Sequence, residues 1–245
     1  MSEIRALLFD TFGTLVDWRT GLVTQLEQWG AANNITADWP GLVLAWRRDH
    51  VPALAKVRTG QREWANYDEL QAETMAQLAP QFGLPALSDE TLDHLARMWH
   101  RLPAWPDTVE GMARLRTKHL VAPLSNGHVA LVMSLARGAG IPFDTVFGAD
   151  IFRQYKPDPK TYLGAVSLLG CTPDEVLFVA SHPSDLASAA GCGLRTCFVS
   201  RPLEYGGLEV EQPPAEGDVD FMATDLLELA NVMGCEHVMS TSFSE

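Results

Sequence analysis

The sequence predicts an α/β protein whose centre is a doubly wound parallel sheet, with a helical unit inserted after the first strand. Two observations predict the sheet: a short apolar run ends at Asp10, and further apolar runs alternate with helical stretches after residue 107. A third observation predicts the insert, because helical periodicity without a convincing strand fills the segment from about Thr20 to Arg101.

The first strand is the apolar segment from Ile4 to Phe9, bounded by Asp10 and Gly13. A continuous apolar run of this kind is typical of a strand that is buried on both faces of a parallel sheet. Asp10 is therefore expected at the carboxyl end of this strand.

The predicted insert has a composition of its own. Apolar residues recur at helical spacing, as in Leu22, Leu26 and Trp29, and all seven tryptophans of the chain lie at or before Trp105. The stretch RLPAWPD, with two prolines, then indicates a hinge. We expect a core domain at 1–17 and 101–235, a helical domain at 18–100 and a flexible tail at 236–245.

Strands and helices alternate in the rest of the chain. The predicted strands are LVAPLS (120–125), VLFVAS (176–181) and TCFVS (196–200). One predicted helix begins near residue 108, and others cover 128–138, 159–169 and 185–190. The stretch EVEQPPAEGD (209–218) is typical of a polar loop, and the chain after Gly234 is typical of a frayed end.

The composition argues against several classes of function. A formal net charge of -13 disfavours nucleic acid or an anionic membrane as a partner, because both bind basic surfaces. No apolar stretch approaches the length of a membrane span, and the N-terminus does not resemble a signal peptide, so we expect a soluble cytoplasmic protein. The four cysteines lack the spacing of zinc ligands and are predicted to be buried thiols.

Polar side chains follow the predicted strands at the points where the strands end. In an open parallel sheet, ligands bind beyond the carboxyl ends of the strands. The residues that this rule gathers are Asp10, Ser125, Asn126, Lys156, Ser181, His182 and Asp185, with Lys156 following a further apolar stretch. We expect these side chains to meet around one point.

Four segments at these positions resemble, in sequence and in order, the motifs of the haloacid dehalogenase superfamily. They are DTFGTLVD, LSNG, YKPDPKTY and VASHPSD. The resemblance covers nearly the whole chain. It implies a Rossmann-like core, with a helical cap domain at the position of the predicted insert.

Most members of that superfamily are magnesium-dependent phosphatases, whose first motif carries a second aspartate. Phe12 occupies that position here, and Ser181 occupies an acidic position of the last motif. Because Mg²⁺ usually binds more than one carboxylate, both losses weaken a magnesium site. These losses, the pair Trp46–Arg47 and the tyrosine Tyr162 of KPDPKTY resemble the 2-haloacid dehalogenase branch.

That resemblance implies hydrolysis of a carbon–halogen bond without a metal or cofactor. The substrate would be a small halogenated carboxylic acid. Attack of Asp10 at C2, followed by attack of water on the resulting ester, would give a 2-hydroxy acid of inverted configuration. Selectivity for the L substrate is implied by the resemblance alone.

The resemblance also implies roles for individual residues. Asp10 is the expected nucleophile, and Lys156 is the cation expected to keep it ionised. Thr14 and Ser125 would donate hydrogen bonds to Asp10 or to the substrate carboxylate, although such residues are more often turn or cap residues. Asp185 would anchor Lys156 or share in the activation of water.

Arg47 and Asn126 are the predicted halide ligands. A guanidinium is weakly hydrated and offers several N–H donors. Adjacent helical positions point about 100° apart, so only one of Arg47 and Arg48 should face the site. The resemblance favours Arg47, which directly follows the tryptophan. For Asn126, a helix-cap or turn role is an equal alternative.

Phe12, Trp46 and Tyr67 are predicted to form an apolar wall that strips water from the reacting carboxylate. Packing within the core of the insert is a strong alternative for Trp46 and Tyr67, because aromatic residues at helical spacing usually form core. Phe12 lies in a loop two residues beyond the nucleophile, where a core role is less expected.

His182 departs from the family pattern, since many haloacid dehalogenases have asparagine at this position. It lies beside the place where water must attack the Asp10 ester. An imidazole with a pKa near its usual value of about 6.5 can orient or deprotonate that water. A hydrogen bond to the loop backbone is the alternative role.

Two other functions stay open at this stage. One is a phosphatase that binds Mg²⁺ through Asp10, the Phe12 carbonyl and Asp185. The other is a catalytically silent member that binds a ligand or a protein, which the retention of Asp10, Lys156 and Asp185 disfavours. A homodimer is one expected assembly, because helix-rich caps with exposed apolar faces commonly pair.

Overall fold

The structure, a computed structural model, describes residues 2–235. Within this range, one five-stranded parallel sheet forms the centre of the protein. Its strands are β1 (Ala6–Phe9), β2 (Leu120–Pro123), β3 (Val176–Ala180), β4 (Arg195–Val199) and β5 (Phe221–Ala223). Their order across the sheet is β2-β1-β3-β4-β5, which confirms the predicted α/β fold with a doubly wound parallel sheet.

Helices connect the strands. The first four, which we call the helical insert, are α1 (Trp18–Asn33), α2 (Trp39–Arg58), α3 (Tyr67–Leu78) and α4 (Asp89–Ala96), with 3₁₀ turns at Ala79–Phe82 and Arg97–Arg101. The later helices are α5 (Thr108–Leu115), α6 (Val129–Ala139), α7 (Ala149–Phe152), α8 (Pro159–Leu168), α9 (Pro183–Gly191) and α10 (Leu226–Val232). A further 3₁₀ turn, Pro173–Glu175, leads into β3.

The apolar strand β1 lies inside the sheet and is buried along its length. Leu8 pairs in register with Ala122 of β2 on one side and with Phe178 of β3 on the other. Successive side chains point to opposite faces, so Leu7 and Phe9 join one hydrophobic cluster and Leu8 joins another. All the strands run the same way, and the residues that follow them therefore reach the same edge of the sheet.

The helical insert shares a hydrophobic core with the sheet. The cluster that contains Leu7 and Phe9 continues through Trp18, Trp46 and Trp99, which are fully buried. Aromatic side chains of this size each bury about 150–250 Å². The concentration of tryptophan in the first part of the chain is thus explained by this shared core.

Helix α3 begins at a capping box. Asn66 Oδ1 accepts a hydrogen bond from Glu69 N at 3.1 Å, and Glu69 Oε2 accepts one from Asn66 N at 2.8 Å. These two bonds satisfy backbone donors that the helix itself leaves free. They fix the first turn of α3, which carries Tyr67 and Asp68.

The predicted elements differ from the structure in a few places. The strands 120–125, 176–181 and 196–200 correspond to β2, β3 and β4, with ends that shift by one or two residues. Three short elements, α7, α10 and β5, were absent from the prediction. Elements of this length carry little periodic signal. In the described chain, the apolar stretch before Lys156 forms an isolated bridge, between Leu124 and Phe147, rather than a strand.

The predicted domain boundaries, 1–17 with 101–235 and 18–100, stay a prediction. The predicted tail at 236–245 lies outside the described residues. Across residues 2–235, no helix combines the length and the apolar character needed to cross a membrane.

The four cysteines are free thiols, and they differ in burial. Cys197 and Cys235 are buried, whereas Cys171 and Cys192 are half-buried, so the prediction of buried thiols is correct for two of the four. Burial raises the pKa of each thiol. All four are therefore protonated near neutral pH and unreactive as nucleophiles.

Candidate active site

Loops and the start of one helix, at one edge of the sheet, carry the candidate residues. Asp10 follows β1, Asn126 follows β2, and His182 and Asp185 follow β3, while Lys156 lies between α7 and α8. Together with the insert, these loops enclose a cleft of about 250 Å³. The cleft is lined by Asp10, Arg47, Asn126, Lys156, Pro157, His182, Ser184, Asp185 and Ser188.

Asp10 is buried, and its two carboxylate oxygens have different partners. Lys156 Nζ donates to Oδ1 at 2.9 Å, and Thr14 Oγ1 donates to Oδ2 at 2.9 Å. His182 Nδ1 lies 3.2 Å from Oδ2. Burial alone would raise the pKa of Asp10, but the charges of Lys156 and His182 outweigh burial and hold that pKa well below its usual range. Asp10 is therefore a carboxylate across the physiological pH range.

Lys156 lies between two carboxylates. Its Nζ donates to Asp10 at 2.9 Å and to Asp185 Oδ2 at 2.5 Å, and only 5% of its side chain is exposed. The Tyr162 hydroxyl donates to the other oxygen of Asp185. Burial would lower the pKa of Lys156, yet the charges of Asp10 and Asp185 raise it, so this amine stays protonated.

His182 bridges Asp10 to a second buried carboxylate, Glu204. The imidazole Nε2 lies 3.0 Å from Glu204 Oε1, on the opposite side of the ring from Asp10. Burial would lower the pKa of His182, but the charges and hydrogen bonds of Glu204 and Asp10 raise it to about 10. With both carboxylates ionised, His182 is therefore an imidazolium.

Sequence reasoning missed Glu204. The residue is 1% exposed and also accepts a hydrogen bond from Trp18 Nε1 at 2.9 Å. Burial would raise the pKa of Glu204, but the charge of His182 lowers it. Glu204 follows β4, so the rule that ligands bind beyond the carboxyl ends of the strands, applied to the strand TCFVS, was the signal that could have found it.

A glycine makes room for Glu204 next to the Asp10 loop. Gly13 has a φ of +93°, which L side chains rarely adopt, and a Cβ at this position would lie 2.1 Å from Glu204 Oε1. Trp105 Nε1 donates to the Gly13 carbonyl at 2.8 Å and holds the turn in place. The turn after Asp10 is thus shaped to bring the Glu204 carboxylate close to the site.

Two serines of the predicted motifs act on neighbouring groups. Ser125 Oγ accepts a hydrogen bond from Gly127 N at 3.0 Å, so this hydroxyl contacts the loop backbone rather than donating to Asp10 as predicted. Ser181 N donates to Thr14 Oγ1 at 3.0 Å, and the two hydroxyls are 3.2 Å apart. Ser181, at the position where phosphatases have an acid, therefore orients the Thr14 hydroxyl that donates to Asp10.

Arg47 and Asn126 both line the cleft. The Arg47 guanidinium lies over the Trp18 ring, 5.5 Å from its centroid, whereas Arg48 points to the surface and pairs with Asp49 at 2.8 Å. Asn126 Oδ1 accepts a hydrogen bond from Lys156 N at 2.8 Å. Because its oxygen is occupied in this way, the Asn126 amide group that can meet a bound anion is the N–H donor Nδ2.

The three predicted wall aromatics pack together beside the cleft. Phe12 stacks on Tyr67 with ring centroids 5.1 Å apart, and its ring meets Trp99 edge-on at 5.4 Å. Trp46 also meets Trp99 edge-on, at 5.7 Å, and its Nε1 donates to the Gln71 carbonyl at 3.1 Å. All three rings therefore belong to the shared core, so Phe12 has the core role that its loop position made less expected.

Comparison with known proteins identifies the family. A model of the haloacid dehalogenase-like hydrolases matches residues 4–193 of the chain. The chain belongs to this hydrolase family. A curated relative, (S)-2-haloacid dehalogenase 4A of Burkholderia cepacia, is 28% identical over 211 residues, which cover 84% of this chain and 88% of the relative.

Solved structures of haloacid dehalogenases are similar over nearly the full length. The L-2-haloacid dehalogenase PA0810 is 43% identical, with a TM-score of 0.90 and coverage of 94% of this chain and 99% of that one. The defluorinating L-2-haloacid dehalogenase Rha0230 is 38% identical, with a TM-score of 0.91 and coverage of 95% and 96%. A phosphoglycolate phosphatase of Escherichia coli (strain K12) is a more distant relative, 23% identical over 249 residues, or 96% of this chain and 94% of that one.

In this haloacid dehalogenase-like hydrolase, the charged side chains around the cleft balance one another. The carboxylates are Asp10, Asp185 and Glu204, and the cations are Arg47, Lys156 and His182. Both oxygens of Asp185 are already bonded, one to Lys156 and one to Tyr162. Because Mg²⁺ prefers several free carboxylate oxygens, this set of residues does not fit a magnesium ion.

Proposed function

We propose that this protein hydrolyses the carbon–halogen bond of short L-2-halocarboxylic acids through an ester on Asp10, without a metal. The observation that carries the proposal is the environment of Asp10: a buried, ionised carboxylate held by Lys156 and Thr14, facing a cleft that contains Arg47. The names of the similar dehalogenases support the substrate class. Phe12 and Ser181, in place of acids, support the absence of a metal from the reaction.

In the first step, an oxygen of Asp10 attacks C2 of the substrate from the side opposite the halogen. The new bond joins that oxygen to C2, the carbon–halogen bond breaks, and the halide leaves with the bonding electrons. A halide needs no proton to depart. Arg47 and the Asn126 Nδ2 group supply N–H donors on the wall of the cleft, where they stabilise the developing anion.

The ester changes the charge next to His182. While Asp10 is ionised, His182 holds protons on both nitrogens, because carboxylates lie on both sides of its ring. Esterification removes the charge of Asp10, which lowers the pKa of His182 and releases the Nδ1 proton to solvent. Glu204 keeps the other proton at Nε2 and so fixes the tautomer.

The second step uses the imidazole nitrogen that faces Asp10. Water attacks the ester carbonyl carbon, and the free Nδ1 accepts a proton from this water. The bond between the carbonyl carbon and the substrate oxygen then breaks, and the departing alkoxide takes the remaining proton of the attacking water. This restores the Asp10 carboxylate and releases a 2-hydroxy acid of inverted configuration. One halide and one proton leave for each substrate, so the atoms and charges balance.

The alternative functions receive less support. Phosphatase activity is named for two distant relatives. A magnesium-dependent phosphatase would need free carboxylates that the contacts of Asp185 do not supply. A silent ligand-binding member would have no use for an ionised Asp10 paired with Lys156. Maintaining buried charges of this kind is costly, and the contacts favour a catalytic use for them.

The test measures halide release from L- and D-2-chloropropionate in the presence of EDTA. We expect chloride and D-lactate from the L substrate, no product from the D substrate, and no activity for Asp10→Asn. In parallel, p-nitrophenyl phosphate is supplied with Mg²⁺. Phosphatase activity that requires Mg²⁺, without chloride release, would contradict the proposal in favour of the phosphatase, and inactivity in both assays would favour a binding protein.

A further inference from the structure

A second cluster of chemically active side chains lies where the helical insert meets the sheet. Asp68 lies in the first turn of α3, His100 in the 3₁₀ turn that closes the insert, and His128 immediately before α6. The three residues are distant in sequence. The spacing of histidines along the chain therefore did not predict that these side chains form a cluster. One ligand atom from each lies within 4.8 Å of the others.

The distances suit a small metal ion. His100 Nε2 lies 2.9 Å from Asp68 Oδ2, and His128 Nε2 lies 3.7 Å from the same oxygen. Around Zn²⁺, ligand atoms at their usual bond lengths are separated by about 3.3 Å when the geometry is tetrahedral. The two measured distances bracket this value, so small side-chain rotations would place all three atoms around one ion.

We propose that Asp68, His100 and His128 bind one divalent transition-metal ion of the Zn²⁺ class, which joins the insert to the sheet. Two imidazoles and one carboxylate form a ligand set that Zn²⁺ and similar ions prefer over Mg²⁺ or Ca²⁺. The side chains are 13%, 10% and 14% exposed in that order, so the site is sheltered but open to solution on one side. All three residues line a second cleft, of about 800 Å³.

The charge of this second cleft favours a cation. Besides Asp68, its lining includes Glu69, Glu73, Asp89 and Asp93, against one arginine, Arg97. Arg97 is itself paired with Asp93 at 2.8 Å. Glu73 is likewise paired, with Arg62. Carboxylates still outnumber arginine in this lining, and such an excess of negative charge raises the local concentration of metal ions.

The hydrogen bonding of His128 points to a missing ligand. Its Nδ1 is buried without a hydrogen-bond partner, and its Nε2 lies beyond hydrogen-bond distance of Asp68. Among the described residues, no hydrogen bond engages Nε2, so this nitrogen is available to bind an ion. A metal ion bound at Nε2 would explain why a histidine precedes α6, where Ser, Thr, Asp or Asn is usually preferred.

Within residues 2–235, the linings of this cleft and of the Asp10 cleft have no residue in common. Asp68 and His100 directly follow Tyr67 and Trp99, two rings of the shared core that meet edge-on. An ion held by α3, the 3₁₀ turn and the start of α6 would therefore restrain the insert against the sheet. The proposal does not depend on the dehalogenase activity, because binding can be measured without substrate.

The experiment titrates metal-free, full-length protein with Zn²⁺ by calorimetry and with Co²⁺ by visible absorption. The test variant is His128→Asn, chosen because asparagine is a favourable residue at a helix start and the fold should be retained. The matched controls are His94→Asn, an exposed histidine of the insert, and His182→Asn in the Asp10 cleft. Asp68→Asn serves as a second test variant, and circular dichroism checks the fold of each.

We expect one Zn²⁺ per chain, and a loss of affinity of at least about tenfold in both test variants, with the controls unchanged. The melting temperature should rise with Zn²⁺ in the wild type and in His94→Asn, but not in His128→Asn. Equal affinity of the wild type and His128→Asn would overturn the proposal. A loss of Zn²⁺ affinity that appears only in His182→Asn would also overturn the proposal, because the ion would then bind in the Asp10 cleft.

Discussion

His182 and Glu204 form a buried pair, with Nε2 of the imidazole 3.0 Å from Oε1 of the carboxylate. The other ring nitrogen, Nδ1, lies 3.2 Å from Asp10 Oδ2. The ring thus links the proposed nucleophile to a carboxylate that takes no part in the covalent chemistry. In the proposed mechanism, Glu204 is a positioning residue that fixes the tautomer of His182 when Asp10 loses its charge.

Replacing Glu204 by glutamine should slow hydrolysis of the ester more than its formation. The neutral amide cannot hold the imidazole proton as strongly, so we expect kcat to fall by about 10²- to 10⁴-fold, the usual contribution of general base catalysis. Rapid-quench measurements should give a burst of chloride, and intact-protein mass spectrometry should detect the ester adduct. The control is Glu209→Gln, an exposed acid of the same loop. Wild-type turnover by Glu204→Gln, without an adduct, would contradict this role.

The charge on His182 should make stability fall at alkaline pH. Its pKa is about 10 in the folded protein and about 6.5 in an unfolded chain, so the folded state holds an extra proton between these values. Its stabilising contribution is complete below about pH 6.5 and is lost as the pH rises through 10. The difference in unfolding free energy between wild type and His182→Asn should therefore shrink from pH 6 to pH 10 in urea titrations.

The control for this pH dependence is His50→Asn. Burial, with the nearby charge of Arg47, lowers the pKa of His50 to about 3, so His50 alters the pH dependence of stability only in acid. The wild type and His50→Asn should have parallel profiles above pH 7. A difference between wild type and His182→Asn that stays constant or grows toward pH 10 would show that His182 is not held as an imidazolium.

Substitution of Gly13 should remove activity through Glu204. Gly13→Ala combines a left-handed backbone with a Cβ that would lie 2.1 Å from the Glu204 carboxylate. Gly60 is a matched control, because its φ is also positive, at +72°, but its Cβ would have open space. We expect Gly60→Ala to lose roughly 1–2 kcal/mol of stability and to keep its halide release. Gly13→Ala should lose more stability than Gly60→Ala and most of its halide release. If the two variants lost equal unfolding free energy and equal halide release, the proposed crowding of Glu204 would be contradicted.

Arg47 and Arg48 offer an internal comparison for halide binding. Arg47→Lys keeps the charge but loses the planar set of donors, and we expect kcat/KM to fall about 10- to 100-fold, as for the loss of hydrogen bonds to a charged group. Arg48→Lys should behave as wild type, because Arg48 pairs with Asp49 at the surface. Steady-state halide release measures both variants. A larger loss in Arg48→Lys than in Arg47→Lys would reverse the assignment.

The part of the site that follows from strand ends was within reach of the sequence. Asp10, Asn126 and His182 follow β1, β2 and β3, and parallel strands bring such residues to one edge. Lys156 was also gathered by this rule, as the residue after an apolar stretch, but that stretch forms an isolated bridge rather than a strand. Only the motif YKPD therefore gave a sound reason for Lys156. The choice between Arg47 and Arg48 also came from the motif, and Arg47 lines the cleft.

Other contacts depend on how loops fold back, which local patterns do not encode. Glu204 reaches His182 across the turn at Gly13, so the rule on strand ends could have placed Glu204 near this edge of the sheet but not in contact with His182. Ser125 and Asn126 lie side by side in the motif, yet the Ser125 hydroxyl bonds the backbone of its own loop while Asn126 lines the cleft. Side-chain direction within a loop is set by tertiary packing, and sequence reasoning could therefore name the loop but not the contact.

The most direct test of an ester on Asp10 is a single turnover in H₂¹⁸O with enzyme in excess over L-2-chloropropionate. Water that attacks the ester carbonyl places its oxygen in the carboxylate, and the product takes an oxygen that Asp10 already held. We predict ¹⁸O in the peptide that contains Asp10 and unlabelled lactate. Labelled lactate with an unlabelled Asp10 peptide would mean that water attacks C2 directly, and would contradict the proposed mechanism.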